Sequence, residues 1–432
     1  MAHLLIIELP GGNDTDILRA AVEGGHRFSF ITSDASLYER QPLVRPWLAQ
    51  AAHRIEIPTA DLSSVLDAVL KINQCDRFDA VLCLIDIRVV LAARIAQALG
   101  LPFLNPGSAA LLRDKYSVRS CLRDAGLLQP EFALATSNEE VRSAIDAIGL
   151  PVLIKPSDGY GSQNILALLS EDDWVPWLSP VDSLLPSRAD YGLGVKANDR
   201  LLIERYMRGQ LLGCDTLSVG GQHYLLGVNE KLMFPPPSFA IRGGCFIPSG
   251  PEFNALQSYV FAALDAVGFD CGAAHTEVML CDDGPQLVEI NPRLVGAKIP
   301  RLVSAALQCD LHADLIDLHL GRISLMQRPA KGPRQFAVTR WLTSPCSGVV
   351  QAIETPKWSD ETIRSVEILK VAGDEVRPPF ENADRLGCVM CCSQDRTHAE
   401  TIAERFIEHT HVSVEPRVPA LYPGDVKEAV AS

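Results

Sequence analysis

The sequence has no excess of basic residues. Its 39 Lys and Arg stand against 53 Asp and Glu, which gives a formal net charge of −14. Nucleic-acid phosphates are neutralised mainly by Lys and Arg, so this balance excludes nonspecific nucleic-acid binding as a function. A local basic pocket for a small anion is still compatible with it.

Long uninterrupted apolar runs are also missing. The longest apolar region, residues 80–104, is broken by Asp86, Arg88 and Arg94, which excludes a membrane span there. The first residues, MAHLLIIELPGG, have neither a basic lead nor a small-residue cleavage site, so we expect no signal peptide. The 12 cysteines have no regular spacing, and many lie in apolar settings where cysteine acts as a small hydrophobic residue. We therefore expect a cytoplasmic protein that does not contact membranes.

Two familiar nucleotide-binding motifs are absent. The first hundred residues alternate between apolar runs of strand length and helical patterns, which predicts a small, open, parallel α/β layer. Its first turn, LPGGND, lacks the GxGxxG spacing, and no acidic residue follows the second strand at the expected place. This Rossmann-like layer is therefore interpreted as structural. A Walker phosphate-binding motif is not found either.

A chain of 432 residues is too long for one ordinary core, and the pattern predicts a multidomain α/β and α+β protein. We expect four parts: an N-terminal α/β domain over 1–107, a part with a glycine-bearing loop over 108–200, a strand-rich part over 201–330, and a β-rich α+β module over 331–432. The segment SAALLRDKYSVRSCLRDAG predicts one helix, with Ser108 as its cap.

Polar side chains alternate along a strand-like segment, LVEINPRLVG. The period of a strand places Glu289, Asn291 and Arg293 on one face, with Val288 and Ile290 toward the core. An earlier strand, HTEVML, has His275 and Glu277 spaced in the same way, and the intervening CDDGPQ contains an Asp-Gly turn signal. The two strands are predicted to be antiparallel neighbours that bring the acids together.

Two explanations fit such a cluster of acids. Converging carboxylates and an amide oxygen repel one another unless a cation neutralises them, and oxygen ligands suit a hard ion such as Mg²⁺. Alternatively, the acids form a salt-bridged sheet face in which Arg293 pairs with them. The spacing alone does not separate a metal site from a salt-bridged face.

Upstream segments favour a site for a phosphorylated ligand. In PVLIKPSDGYGSQN, Lys155 ends an apolar strand and precedes a loop with glycines that can bring backbone N–H groups close to phosphates. In LLIERYMRG, Glu204 ends another strand, where a carboxylate and backbone groups can bind adenine. Taken singly, an ordinary loop and an exposed acid are the alternatives.

The order of RDK, PVLIKPSDGYGS, LIERYMRG, HTEVML and LVEINPRLVG resembles the ATP-grasp superfamily over residues 108–325. The resemblance implies that 108–200 and 201–330 are the small and large ATP-grasp subdomains, preceded by the common N-terminal α/β domain. Together, the HTE and EINPRLVG segments and the β-rich C-terminal module look most similar to L-amino-acid ligases and carnosine synthases.

The resemblance also implies roles for matching residues. The ATP-binding set would be Lys115, Lys155, Ser157, Gly159, Gly161, Ser162, Glu204, Arg205, Met207 and Lys231. Mg²⁺, with Mn²⁺ as an alternative, would be held by Glu277, Glu289 and Asn291. Substrate contacts would come from Arg293, His275 and Arg242, with Arg293 and Lys155 acting in catalysis. The chain departs from the family at Leu211, near the place where an acid commonly contacts ribose.

The implied activity is an ADP-forming ligase that joins a small carboxylate to an amine through an acyl phosphate. The alternatives are another ATP-grasp ligase, of the carboxylase or peptide-tailoring type, and a nucleotide-binding module without turnover. His275 is either a general base or a residue that orients substrate. We expect small-molecule partners, no nucleic acid and a homodimer.

Overall fold

The computed structural model describes residues 1–58, 61–159, 165–170, 190–235, 238, 240–296, 298–323 and 334–417. Over this part of the chain, none of the helices combines the length and the apolar character needed to cross a membrane.

The N-terminal region is a parallel sheet flanked by helices. Its elements are β1 (His3–Ile7), α1 (Asp16–Glu23), β2 (Arg27–Thr32), α2 (Ala35–Glu39), α3 (Arg45–Leu48), β3 (Arg54–Glu56), α4 (Leu62–Cys75), β4 (Ala80–Cys83) and α5 (Val89–Leu99). The strand order is β3-β2-β1-β4, and all pairs are parallel. Every residue of β1 and β4 is buried, as expected for a parallel sheet covered on both faces. The predicted α/β layer matches this sheet.

Two helices follow where one was predicted. They are α6 (Pro106–Leu112) and α7 (Lys115–Asp124), capped by Asn105 and Asp114 rather than by Ser108. The Asp114 side chain accepts a hydrogen bond from the Tyr116 N–H, and this cap begins a new helix inside the expected one. The single-helix prediction is therefore wrong, and the break places Lys115 in the first turn of α7.

A small antiparallel sheet comes next. Its region contains β5 (Phe132–Ala135), α8 (Asn138–Ile148), β6 (Val152–Pro156), β7 (Leu166–Leu168), the β8 and β9 pair (Asp190–Gly192 and Val195–Lys196) and β10 (Leu201–Arg205). The order β5-β10-β6-β7 packs its apolar face against α8. Strand β10 lies between β5 and β6, so a boundary that keeps this sheet whole falls after Arg205. The division at 200/201 stays a prediction.

A second sheet holds most of the remaining strands. It begins with β11 (Gln210–Val219), β12 (Gln222–Met233), β13 (Ile241–Pro248), β14 (Cys271–Cys281) and β15 (Gly284–Asn291), with α9 (Asn254–Ala266) inserted before β14. Helices α6, α7 and α9 pack on one face of β14 and β15. After β15 come α10 (Ile299–Leu307) and α11 (Leu311–His319), which join this sheet to the N-terminal region in one core.

The C-terminal region extends the same sheet. It contains β16 (Phe336–Leu342), β17 (Gly348–Glu354), β18 (Ile363–Ile368), β19 (Glu375–Val376), β20 (Gly387–Ser393), α12 (Arg396–Glu408) and β21 (His411–Pro416). The full order is β15-β14-β11-β12-β13-β16-β20-β18, and β19-β17-β21 form a separate sheet. The predicted α+β module therefore shares a sheet with the strands before it, while its bounds stay a prediction.

Candidate active site

A cleft of about 790 Å³ is lined by residues of both antiparallel sheets. The small sheet contributes Lys155 and Glu204, and the large sheet contributes Lys231, Glu277 and Glu289. Lys115, from the first turn of α7, also lines it. The cleft thus gathers most of the polar residues that were singled out in the sequence.

The β14 and β15 hairpin has the predicted antiparallel pairing. Glu277 lies opposite Glu289, and His275 lies opposite Asn291. The register shifts after Glu277 because Val288 is an extra, unpaired residue. Leu287 and Ile290 face the core, whereas Val288 lines the cleft, so the prediction that Val288 faces the core is wrong. This β-bulge breaks the strict alternation and turns both Val288 and Glu289 toward the cleft.

Arg293 lies beyond the end of strand β15. Strand β15 ends at Asn291, and the Arg293 Nε and Nη2 atoms each lie 2.7 Å from Oδ2 of Asp86, which follows β4. Burial lowers the pKa of Arg293, but the carboxylates of Asp86, Glu289 and Glu277 together outweigh it and raise the net pKa. The predicted strand-face placement of Arg293 is wrong, and so is the alternative in which it pairs with the two acids.

Lysines pair with the two acids instead. Lys115 Nζ lies 3.3 Å from Glu289 Oε2 and also donates to the Gly159 carbonyl, while Lys231 Nζ donates to Glu277 Oε1. The carboxylates retain side-chain exposures of 19% for Glu277 and 22% for Glu289. Each acid is therefore neutralised by one lysine and is still accessible from the cleft.

The donor set fits a magnesium ion. No cluster of three His, Cys, Asp or Glu side chains with metal-binding potential is found among the described residues, but the two opposed carboxylates have Asn291 beside them. The Asn291 amide nitrogen donates to Glu289 Oε1 at 3.1 Å. Burial raises the pKa of Glu277, but Lys231 and His275 outweigh it and lower the net pKa, so this carboxylate is ionised. Such oxygen donors are the ligands that Mg²⁺ prefers.

His275 lies beneath this pair and is 3% exposed. Its Nδ1 lies 2.7 Å from Asp215 Oδ1, and its Nε2 lies 3.6 Å from Glu277 Oε1. Asp215 also accepts a hydrogen bond from the Asn229 amide. Burial lowers the pKa of His275, but the carboxylates of Asp215 and Glu277 together outweigh it and raise the net pKa. These contacts hold the imidazole ring beside Glu277, one of the predicted metal ligands.

Glu204 lies inside an ion-pair cluster. Its Oε2 is 2.7 Å from Lys155 Nζ, its Oε1 is 2.6 Å from Arg119 Nε, and its side chain is 1% exposed. Burial raises the pKa of Glu204, but Arg119 and Lys155 outweigh it and lower the pKa to about 2. The alternative of an exposed acid is wrong. Two cations also engage the carboxylate. In the predicted adenine-binding segment LLIERYMRG, only backbone groups are therefore left to contact adenine.

The other predicted ATP-binding residues are scattered around the cleft. Met207 and Gly159 line it, and the buried Ser157 hydroxyl accepts a hydrogen bond from Asn198 Nδ2 at 3.1 Å. Arg205 also lines the cleft, and its guanidinium pairs with Glu131. Gly161 and Ser162 lie outside the described residues.

The remaining predicted positions also line the cleft. Arg242 belongs to its lining and has an exposed side chain, as suits a substrate contact. Leu211, the departure noted in the sequence, lies in the same lining. An apolar side chain at this position supplies no hydrogen bond to a ribose.

Sequence reasoning missed Arg119 and the Asp86 partner of Arg293. A signal for Arg119 was present, because it shares the apolar face of α7 with Val118 and Leu122. A charged residue is rarely buried unless it is paired, so an arginine on an apolar helix face indicates a buried partner. For Asp86 the sequence has no such signal.

Comparison with known proteins gives matches to two domain families. Residues 148–300 match the model of the ATP-grasp domain, and residues 340–415 match that of the L-amino acid ligase C-terminal domain 2. The chain is 20% identical to the L-arginine-specific L-amino acid ligase of Bacillus subtilis, over 79% of this chain and 81% of that protein. It is 25% identical to human carnosine synthase 1, over 68% of this chain but only 36% of that protein.

Solved structures lead to the same fold. The crystal structure of an L-amino acid ligase from Bacillus licheniformis superposes with a TM-score of 0.81 at 19% identity, covering 96% of this chain and 99% of that one. The predicted multidomain fold class and the predicted superfamily are confirmed. Residues 148–300 are similar to the ATP-grasp domain, and residues 340–415 are similar to the domain named for L-amino acid ligases.

Proposed function

We propose that the chain is an ATP-dependent, ADP-forming ligase that joins a small carboxylate to an amine through an acyl phosphate. The observation that carries this proposal is the pair of opposed carboxylates, Glu277 and Glu289, each facing a lysine in the cleft of an ATP-grasp fold. The L-amino acid ligase domain in the C-terminal region favours an amino acid as one substrate.

The chemical task is to bring a carboxylate to a triphosphate against their mutual repulsion. Mg²⁺ held by Glu277, Glu289 and Asn291 would neutralise phosphate charge. Lys115 and Lys231 pair with these acids and line the cleft, where their ammonium groups would contact the phosphates of a bound nucleotide. Lys155 stays fixed by Glu204 and supplies a positioned positive charge for a phosphate oxygen.

Three further residues would act on the substrate or orient the site. The Asp86 carboxylate holds the Arg293 guanidinium at the edge of the hairpin, where it can stabilise the charge of an acyl phosphate. His275 orients the site through Asp215 and Glu277; its burial argues against direct proton transfer to an amine. Arg242, exposed in the cleft, is suited to a substrate carboxylate.

An ADP-release assay tests the proposal. The purified chain is incubated with Mg-ATP and single or paired amino acids or small dicarboxylic acids, and product mass is read in parallel. We expect ADP release that depends on both a carboxylate and an amine. The product should have the mass of the two substrates joined with the loss of one water. Nucleotide binding without substrate-stimulated ADP release would instead indicate a non-catalytic binding module.

The finer expectations belong to the same proposal. We expect Mn²⁺ to serve in place of Mg²⁺, because the oxygen ligand set suits either ion. The homodimer and the cytoplasmic location remain predictions, which gel filtration with light scattering and cell fractionation test.

A further inference from the structure

The Arg119 side chain connects three elements of the cleft and is only 2% exposed. It projects from α7, its Nε donates to Glu204 Oε1 of β10 at 2.6 Å, and its Nη2 donates to the Val288 carbonyl of β15 at 3.2 Å. The acceptor carbonyl belongs to the bulged residue, which has no partner in the register of the hairpin. Arg119 therefore compensates for a carbonyl that the bulge withdraws from the ladder.

These bonds reach functional candidates on both sides of the cleft. Through Glu204, the guanidinium is connected to the Lys155 ammonium on the small sheet. Through the Val288 carbonyl, it is connected to the residue before Glu289 on the large sheet. Hydrogen bonds to ionised groups are the strong ones, and a planar guanidinium can hold two acceptors in fixed directions.

We propose that Arg119 is a positioning residue for ATP binding: its guanidinium holds the Glu204 and Lys155 pair of the small sheet in register with the bulge that presents Glu289. The proposal rests on the proposed function for the identity of the ligand. Arg119 does not line the 790 Å³ cleft, so it acts through its neighbours rather than on the nucleotide. Its removal should disturb Lys155 and Glu289 together.

A methionine at this position retains an apolar stem and removes the guanidinium. We expect Arg119→Met to weaken binding of a non-hydrolysable Mg-ATP analogue by about tenfold or more, the scale of one lost charge-assisted bond, measured by calorimetry on the full chain. Arg119→Lys retains a charge for Glu204 but cannot span to the Val288 carbonyl, so it should recover part of that affinity. Arg123→Met is the matched control, since Arg123 lies on the same helix with a 59% exposed side chain.

A double-mutant cycle separates positioning from general stability. If Arg119 acts through Lys155, Arg119→Met in a Lys155→Met background should cost less than about threefold in further analogue affinity, well below its effect alone. Additive losses would overturn the proposal, as would wild-type affinity in Arg119→Met. If Arg119→Met does not fold, the same cycle with Arg119→Lys decides.

The result can be distinguished from a failure of the proposed function. Calorimetry requires no turnover, so wild-type chain that binds the analogue but releases no ADP would contradict the ligase proposal and leave the Arg119 cycle intact. Conversely, wild-type chain could be an active ligase while the affinity losses of Arg119→Met and Lys155→Met are additive. That result would overturn the role of Arg119 and leave the ligase proposal intact.

Discussion

Two groups of lysine and carboxylate pairs lie on either side of the cleft, and they differ in burial. Glu204 is 1% exposed and is shared by Lys155 and Arg119, so this cluster has a surplus of positive charge. Glu277 and Glu289 are about one fifth exposed, and each has a single lysine. We expect the buried cluster to stay assembled, whereas under the proposed function the open pairs exchange a lysine for a metal ion.

The difference follows from the cost of moving charges out of water. A buried ion pair whose partner is removed leaves an uncompensated charge in a poorly polarisable environment. Partly exposed pairs are screened by water and contribute little to stability. We therefore expect substitutions in the buried cluster to change folding, and substitutions in the open pairs to change turnover.

Glu289→Gln tests the open side and has the largest expected effect. The variant loses an anionic metal ligand, so ADP formation should fall by about 10²–10³-fold or more, by analogy with the loss of one preorganised electrostatic contact. Its free energy of unfolding should change by less than about 1 kcal/mol, because the Lys115 pair is partly solvated. ADP release and urea unfolding measure the two quantities.

The control is Glu375→Gln, at an 82% exposed side chain that pairs with Arg417. It should leave both quantities unchanged. Near-normal turnover in Glu289→Gln would refute the metal role of the hairpin.

Glu204→Gln tests the buried side. The neutral amide leaves Arg119 and Lys155 without their shared anion, so the free energy of unfolding should fall by about 3 kcal/mol at neutral pH. Urea denaturation, with Glu131→Gln as a control at a 65% exposed side chain, measures this loss. An unchanged midpoint would remove the distinction between the two groups of pairs.

The pH dependence of the same variant gives an independent check. The folded chain holds the Glu204 pKa at about 2, below its ordinary value of 4.5. A depressed carboxyl pKa contributes stability above 4.5, which is lost as the pH falls toward the folded value. The advantage of wild type over Glu204→Gln should therefore shrink between these values.

The two carboxylates of the open pairs could be located from the sequence, while the ion pairing of the buried cluster could not. The Asp283-Gly284 turn and the two-residue spacing of HTE and EIN were enough to predict the opposition of Glu277 and Glu289. Local patterns fix such a hairpin because its partners are close in sequence. The bulge at Val288, by contrast, interrupts the period without leaving a mark in the residue types.

Contacts between distant segments escaped the sequence for a physical reason. Arg119 meets Glu204 across 85 residues, and Asp86 meets Arg293 across 207. Such pairs depend on how α7 and the N-terminal sheet pack against the hairpin, which no local propensity determines. Resemblance to the superfamily assigned Glu204 to the nucleotide but gave no indication of its two cations.

Lys231→Met sharpens the comparison by removing one exchangeable cation. Without its lysine, Glu277 has only the His275 ring as a counter-charge, so added Mg²⁺ without nucleotide should stabilise the variant more than it stabilises wild type, by about 1 kcal/mol. The shift of the melting temperature in a Mg²⁺ titration measures this. Lys357→Met, at an exposed position, is the control. Equal shifts in variant and wild type would mean that Lys231 does not occupy the place of a metal ion.

His275→Gln has the smallest expected effect and tests the contact of the buried imidazole with Glu277. Burial lowers the His275 pKa, but the Asp215 and Glu277 carboxylates together outweigh it and raise the pKa above its ordinary 6.5. A raised histidine pKa contributes stability that is complete below 6.5 and is lost as the pH rises through the folded value. The wild-type advantage over His275→Gln should thus be greater at about pH 6 than at about pH 9, measured by urea unfolding. His398→Gln, with a 47% exposed ring, should show no such trend. A pH-independent difference would mean that the ring is held by packing alone. The His275 ring beside Glu277 would then be uncharged.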